Sequence, residues 1–211
     1  MHIVLLGDSI FDNGAYVRRG EPDVVRQLEA RLPADARATL RAVDGATTAG
    51  VPRQLERLPA DATHLVVSAG GNDALGHIGV LEGASRSIAD ALTRLAEIGD
   101  GFSRSYRAML HAVLGRGLPT ALCTIYDPRY PDPRFQRLAA TGLTLFNDVI
   151  ARAAFQNGLP LLDLRLICDD DGDYANPIEP SAQGGDKIAA AIARLAAEHD
   201  FGRRRTEVFV R

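Results

Sequence analysis

Short apolar runs alternate along the whole chain with stretches whose apolar positions recur every three or four residues. The first run, His2 to Gly7, has the continuous hydrophobicity of a strand buried on both faces, and Gly7-Asp8 ends it in a turn. Pro22 then opens a helical pattern in which Val24, Val25, Leu28 and Leu32 share one face. The same reading predicts strands over Ala38 to Val43, His64 to Ser68, Thr120 to Tyr126 and Pro160 to Leu166. Helices are predicted over Pro52 to Leu58, within Leu81 to Leu114, around Arg137 to Gln156, and over Asp186 to Glu198. In the Leu81 to Leu114 segment, Ile88, Leu92, Leu95 and Ile98 mark a face, and Gly99 and Gly101 predict a break. Strands separated by helical crossovers call for an α/β fold, with a mostly parallel sheet covered on both sides. Ligands of such sheets gather at the carboxyl ends of the strands. Gly7-Asp8-Ser9, Asp44 to Gly50, Gly70 to Asp73, Asp127 to Pro133 and Asp169 to Asn176 all fall on that one rim.

Composition narrows the function classes. At 211 residues the chain is read as one domain, 1–211. A net charge of -3, with Arg203 to Arg205 as the one basic run, gives no groove for a phosphate backbone, so nucleic acid is excluded as a partner. Ile3 to Leu6 is too short for a signal segment or a membrane span, which sets the expectation of a cytoplasmic protein. Cys123 and Cys168 lie in or beside apolar runs and read as buried free thiols. There is no metal-binding cluster of His or Cys, no phosphate-binding loop and no dinucleotide fingerprint, so no cofactor and no metal are expected. Glycine falls at the wrong place in Asp169-Asp170-Asp171-Gly172-Asp173 for a calcium loop, and a solvated loop is the simpler reading. A homodimer is expected only from the frequency of such assemblies.

The chemistry-bearing residues sit in the rim loops. Ser9 follows a strand end, where a serine is either a turn residue or a hydroxyl presented to a ligand. Gly70-Gly71-Asn72-Asp73 ends another strand, and there the Asn72 amide can meet a developing oxyanion, as can the N–H of Gly45. With these blocks the chain resembles the SGNH, or GDSL-type, hydrolases: esterases, lipases, acyl hydrolases and carbohydrate deacetylases. The resemblance implies a flavodoxin-like three-layer α/β/α sandwich around a central five-stranded parallel sheet. It also implies Ser9 as nucleophile, an oxyanion hole from the N–H groups of Ser9 and Gly45 and the Asn72 side chain, and a small-molecule ester as substrate.

The last block of that family reads aspartate, two residues, histidine. Here the stretch is Asn176-Pro177-Ile178-Glu179, followed by Pro180, Ser181 and Gly184 before the final helix. Glu179 thus stands in the histidine slot and Asn176 in the aspartate slot. An unperturbed Glu is a weaker base than His by roughly two pKa units, or about 3 kcal/mol of proton-transfer driving force, which burial can recover. A carboxylate needs no acid to select its tautomer, and an asparagine beside it avoids repulsion and can orient it by a hydrogen bond. The alternatives are His77 as base with Glu179 behind it, or a catalytically silent module that binds an acylated or carbohydrate ligand. Asp8, Gly71, Asp73, Arg129, Arg134 and Asn176 are the candidate substrate contacts. Arg129 or Arg134 would meet a carboxylate or phosphate, although ion pairing at the surface is the simpler role. The low aromatic content favours a small or polar ester.

Overall fold

The computed structural model describes residues 1–210. In chain order the elements are β1 (His2–Gly7), α1 (Val24–Glu29), β2 (Arg37–Leu40), α2 (Val51–Leu55), β3 (His64–Ser68), α3 (Gly71–Leu75), α4 (Ile88–Leu114), β4 (Thr120–Cys123), α5 (Pro133–Asn157), β5 (Leu161–Leu162), α6 (Leu164–Ile167), β6 (Tyr174–Asn176), β7 (Glu179–Pro180), α7 (Ala182–Glu198) and β8 (Val208–Phe209). Six of the strands form one parallel sheet in the order β2-β1-β3-β4-β5-β8, while β6 and β7 make a separate antiparallel ribbon. The sheet therefore has six strands and not five. Its sixth, β8, is only two residues long and pairs with β5, too short to show a period.

Alternation along each strand builds the two outer layers. Ile3 and Leu5 of β1 and Val66 of β3 point to one face, covered by α1 and α7 through Val24, Leu28, Ile188 and Ile192. Val4, Leu6, Leu65 and Val67 point to the other, covered by α2, α4 and α5. The result is a three-layer α/β/α sandwich.

Several boundaries differ from expectation, each for a local reason. Gly99 and Gly101 do not interrupt α4, which runs unbroken. A Cβ on Gly99 would stand 2.9 Å from Leu145 Cδ1, so this glycine is where α4 and α5 pack closely. Pro160 to Leu166 is not one strand: Asp163 accepts the Arg165 N–H and starts α6, ending β5 after two residues. The last helix begins at Ala182, four residues early, because the Ser181 hydroxyl accepts the Gly184 N–H. Finally, Asp169 to Asp173 is not a freely solvated loop. The Lys187 ammonium lies 2.8 Å from carboxylate oxygens of both Asp170 and Asp173, and Asp173 is fully buried. This knot anchors the ribbon against the start of α7.

Candidate active site

In a parallel sheet of order 2-1-3-4-5 the order in which strands are added reverses between β1 and β3, which opens a crevice at their carboxyl ends. Ser9 stands there, one residue beyond Asp8, and both are buried. The turn that presents them depends on Gly7. Its φ of 128° is one that side chains rarely adopt, and a Cβ would fall 1.6 Å from the Ser68 carbonyl oxygen of β3. The buried Gln54 amide completes the support: Oε1 accepts the Gly7 N–H at 2.8 Å and Nε2 donates to the Gly7 carbonyl at 2.7 Å. Gln54 thus extends the sheet by one pseudo-strand residue under the serine. No motif reading singles it out, because its role depends on α2 lying beside β1.

The other rim loops are tied to one another. Asn72 of α3 donates through Nδ2 to the Ala46 carbonyl at 3.0 Å, leaving its second amide hydrogen for the cavity it lines. Asp73 accepts from the Thr48 hydroxyl at 2.7 Å and the Thr48 N–H at 2.9 Å, so it fixes the Gly45 loop and is not free for substrate. Gly45 sits at the exposed bend of that loop, with φ of 76°, and does not itself line the cavity. Gly71 lines the cavity beside Asp8 Oδ2.

Glu179 comes to the same place from the other side. The ribbon turn is closed by Asn176, whose Oδ1 accepts the N–H groups of Ile178 and Glu179, each at 3.0 Å. Asn176 therefore shapes the backbone that carries Glu179 and does not bond to its carboxylate, unlike the side-chain contact expected. The buried Tyr126 hydroxyl donates to the Ile178 carbonyl at 2.7 Å, and Asn13 Nδ2 donates to the Pro180 carbonyl at 3.3 Å. Held on both flanks, Glu179 is 7% exposed and lines the cavity with Ser9. Burial pushes its carboxyl up to about 7; the Ser9 side chain stabilises the charged form and works against this, and the charge of Asp44 adds to it. Its Oε2 is buried without a hydrogen-bond partner among the described residues. Asp8 is also pushed up to about 7, by burial first, against its Oδ1 bond from the Ile10 N–H and with the charges of Glu179 and Asp73.

The cavity that these groups share is about 110 Å³, and its walls beyond the carboxylates are aliphatic and aromatic, among them Leu75, Leu81, Leu95, Ile98, Leu143 and Phe146. Leu95 and Ile98 continue the predicted stripe of α4, but Ile88 and Leu92 at its other end are exposed. Such walls suit a hydrocarbon group. His77 lines the cavity from an exposed position. Arg129 and Arg134 do not. The Arg129 guanidinium pairs with Asp171, donates to the Asp169 carbonyl and lies over the Tyr174 ring, which clamps the proline-rich loop to the ribbon. Arg134 is exposed in the first turn of α5.

A model of the GDSL-like Lipase/Acylhydrolase family matches residues 5–187. No curated protein sequence matches the chain. Among solved structures, the lipase Lip_vut3 from a goat rumen metagenome is 18% identical with a TM-score of 0.71, over 97% of this chain and 100% of that one. The extracellular lipase of Streptomyces rimosus is 17% identical with a TM-score of 0.66, over 92% and 99%. The M. smegmatis aryl esterase is 15% identical with a TM-score of 0.67, over 93% and 98%. Likenesses at these identities speak for the fold.

Proposed function

The chain belongs to the GDSL-like lipase/acylhydrolase family, which points to a lipase- or esterase-type hydrolase, and on that premise we propose that it hydrolyses carboxylic esters through a Ser9 acyl-enzyme with Glu179 as the base. The observation that carries this reading is that a buried Ser9 and a buried Glu179 line one largely apolar cavity. Glu179 takes the hydroxyl proton as Ser9 attacks the ester carbonyl. The oxyanion then meets the Ser9 N–H and the Asn72 side-chain amide, while Gly45, exposed and outside the cavity, is left without the oxyanion role expected of it. Protonated Glu179 passes the proton to the departing alcohol, and a water activated in the same way releases the acid. Burial supplies what the substitution of His by Glu took away: a carboxyl with an affinity for protons close to that of imidazole. No acid partner is required behind it, since a carboxylate has no tautomer to select. The aliphatic walls assign the cavity to the hydrocarbon part of the ester.

Hydrolysis of a p-nitrophenyl ester series from acetate to octanoate tests the reading. Wild type should prefer a chain longer than acetate, and both Ser9→Ala and Glu179→Gln should lose at least about a hundredfold in kcat/KM. Unchanged turnover in Ser9→Ala would remove the serine mechanism. Retained turnover in Glu179→Gln together with its loss in His77→Ala would transfer the base to His77. A protein that binds such esters and never turns them over would be a binding module.

A further inference from the structure

Glycine inside a helix loosens it, because its backbone loses more freedom on folding than that of alanine. The long helices α4, α5 and α7 nevertheless contain five: Gly99, Gly101, Gly142, Gly184 and Gly185. Close packing accounts for three of them. A Cβ would stand 2.9 Å from Leu145 Cδ1 at Gly99, 2.2 Å from the Asp173 carbonyl oxygen at Gly184, and 2.9 Å from Gln27 Oε1 at Gly185. Gly101 and Gly142 have no such neighbour, and of these two it is Gly142 that lines the cavity. Its φ is not positive, and outside its own helix a Cβ there would meet Leu81 Cδ2 at an ordinary contact distance of 3.5 Å. Neither the backbone nor the packing of the protein therefore requires glycine at 142.

The position of Gly142 gives the bare backbone a use. As the crossover between the parallel strands β4 and β5, α5 runs back from the carboxyl rim, so its first turns lie furthest out from the sheet. Asn147 accepts the Ile125 N–H through Oδ1 and donates to the Ile125 carbonyl through Nδ2, both at 2.8 Å, which pins that turn, with Phe146, level with the strand ends where Ser9 stands. Gly142 is one turn further out, about 6 Å along the helix. The cavity here lies on the N-terminal side of the Gly99–Leu145 crossing, between Leu95 and Ile98 of α4, Ala139 and Gly142 of α5, and Leu81. We propose that Gly142 is the specificity-determining residue for chain length: its missing side chain leaves the path by which a hydrocarbon chain of medium length, hexanoyl to octanoyl, runs outward from Ser9 between the two helices. This deepens the hydrolase reading above and rests on it for the ester bond. An acetyl group on Ser9 stays at the level of the strand ends, whereas a longer chain must pass the turn of Gly142. A side chain at 142 would stand beside Leu81 in that path, so it discriminates against long chains more than short ones.

Gly142→Ala and Gly142→Leu test this with p-nitrophenyl acetate and octanoate. The octanoate-to-acetate ratio of kcat/KM should fall several-fold in the alanine variant and on the order of tenfold in the leucine variant, chiefly through the KM for octanoate. The urea midpoint of Gly142→Ala should be no lower than that of wild type, since a helix glycine is removed and the new methyl finds room. This variant decides the matter even where Gly142→Leu fails to fold. Binding is read apart from turnover in Ser9→Ala protein, where adding Gly142→Leu should weaken 1-hexanol several-fold in calorimetry. A ratio unchanged by the substitutions would overturn the proposal, as would a lowered urea midpoint in Gly142→Ala, which would make the glycine a requirement of packing. Ser9-dependent turnover with an unchanged ratio leaves the hydrolase reading standing without Gly142. Weakened hexanol binding in a protein that shows no Ser9-dependent turnover keeps the hydrocarbon path and removes the hydrolysis.

Discussion

Asp8→Asn should stabilise the protein, and only above the acid range. In the native state the Asp8 carboxyl is held up to about 7 from an ordinary 3.8, with burial as the first cause. In the unfolded chain it ionises at the ordinary value. Below that value both states carry the proton and the group contributes nothing. Between it and 7 the unfolded chain gives up the proton while the native state keeps it, so stability falls as pH rises; above 7 the full penalty is present. A displacement from 3.8 to about 7 corresponds to ~4 kcal/mol, a ceiling on what the charge costs the fold at pH 8. Asparagine keeps the oxygen that accepts the Ile10 N–H and has no charge to bury. Urea denaturation of both proteins at pH 4 and pH 8 gives the test. The variant should match the wild type at pH 4 and exceed it at pH 8 by about 2–4 kcal/mol, with an unchanged m-value. Other titrating groups are common to both proteins and cancel in the difference. A variant whose offset from wild type is the same at the two pH values would refute the reasoning. It would mean that Asp8 is not held protonated beside Ser9.

For the active site, the ascending limb of kcat/KM against pH should have its midpoint near 7, where Glu179 loses its proton, and Asp44→Asn should move that midpoint down because the Asp44 charge helps to hold Glu179 protonated; a midpoint unmoved by Asp44→Asn would separate Glu179 from the limb. For the fold, Gly99→Val should cost about 1–3 kcal/mol in chemical denaturation, since even a Cβ there presses on Leu145, and should narrow the cavity that Leu145 lines, reducing turnover of longer acyl esters before that of acetate. Unchanged stability and chain-length preference would show that α4 and α5 can separate at this crossing.

The layers and the rim were legible because both follow from local pattern. Runs such as Ile3 to Leu6 and Leu65 to Val67 are apolar on consecutive positions, which only a strand covered on both faces requires. Ser9, Asn72 and Glu179 were legible as members of turns that interrupt such runs, and the fold brings those turns to one crevice. What stayed hidden depends on residues far apart in sequence. Gln54 reads as an ordinary helix residue until α2 is laid beside β1, and then it holds both backbone groups of Gly7. Gly99 reads as a helix breaker because nothing near it in sequence announces Leu145. Arg129 reads as an anion ligand, yet its partners Asp171, Asp169 and Tyr174 lie about 40 residues on in the chain and are reached only through the ribbon. The depth of the cavity is hidden for the same reason, since its walls come from α3, α4, α5 and the segments between.

The replacement of aspartate and histidine by Asn176 and Glu179 forms one chemical unit when the two residues are given separate tasks. In an acid-histidine pair the acid must hold the imidazole in one tautomer and stabilise its charge. A glutamate asks for neither service; what it needs is a fixed direction and a dry setting. Asn176 gives the direction by closing the turn with two backbone hydrogen bonds, a task for its side-chain oxygen that requires no charge. Tyr126 and Asn13 lock the strand on either side, and burial raises the proton affinity of the carboxyl. An aspartate at 176 would put a further negative charge three residues from Glu179, on which the charge of Asp44 already bears. Under the proposed mechanism, a carboxyl buried beside Ser9 with its proton affinity raised is the setting that a carboxylate base needs.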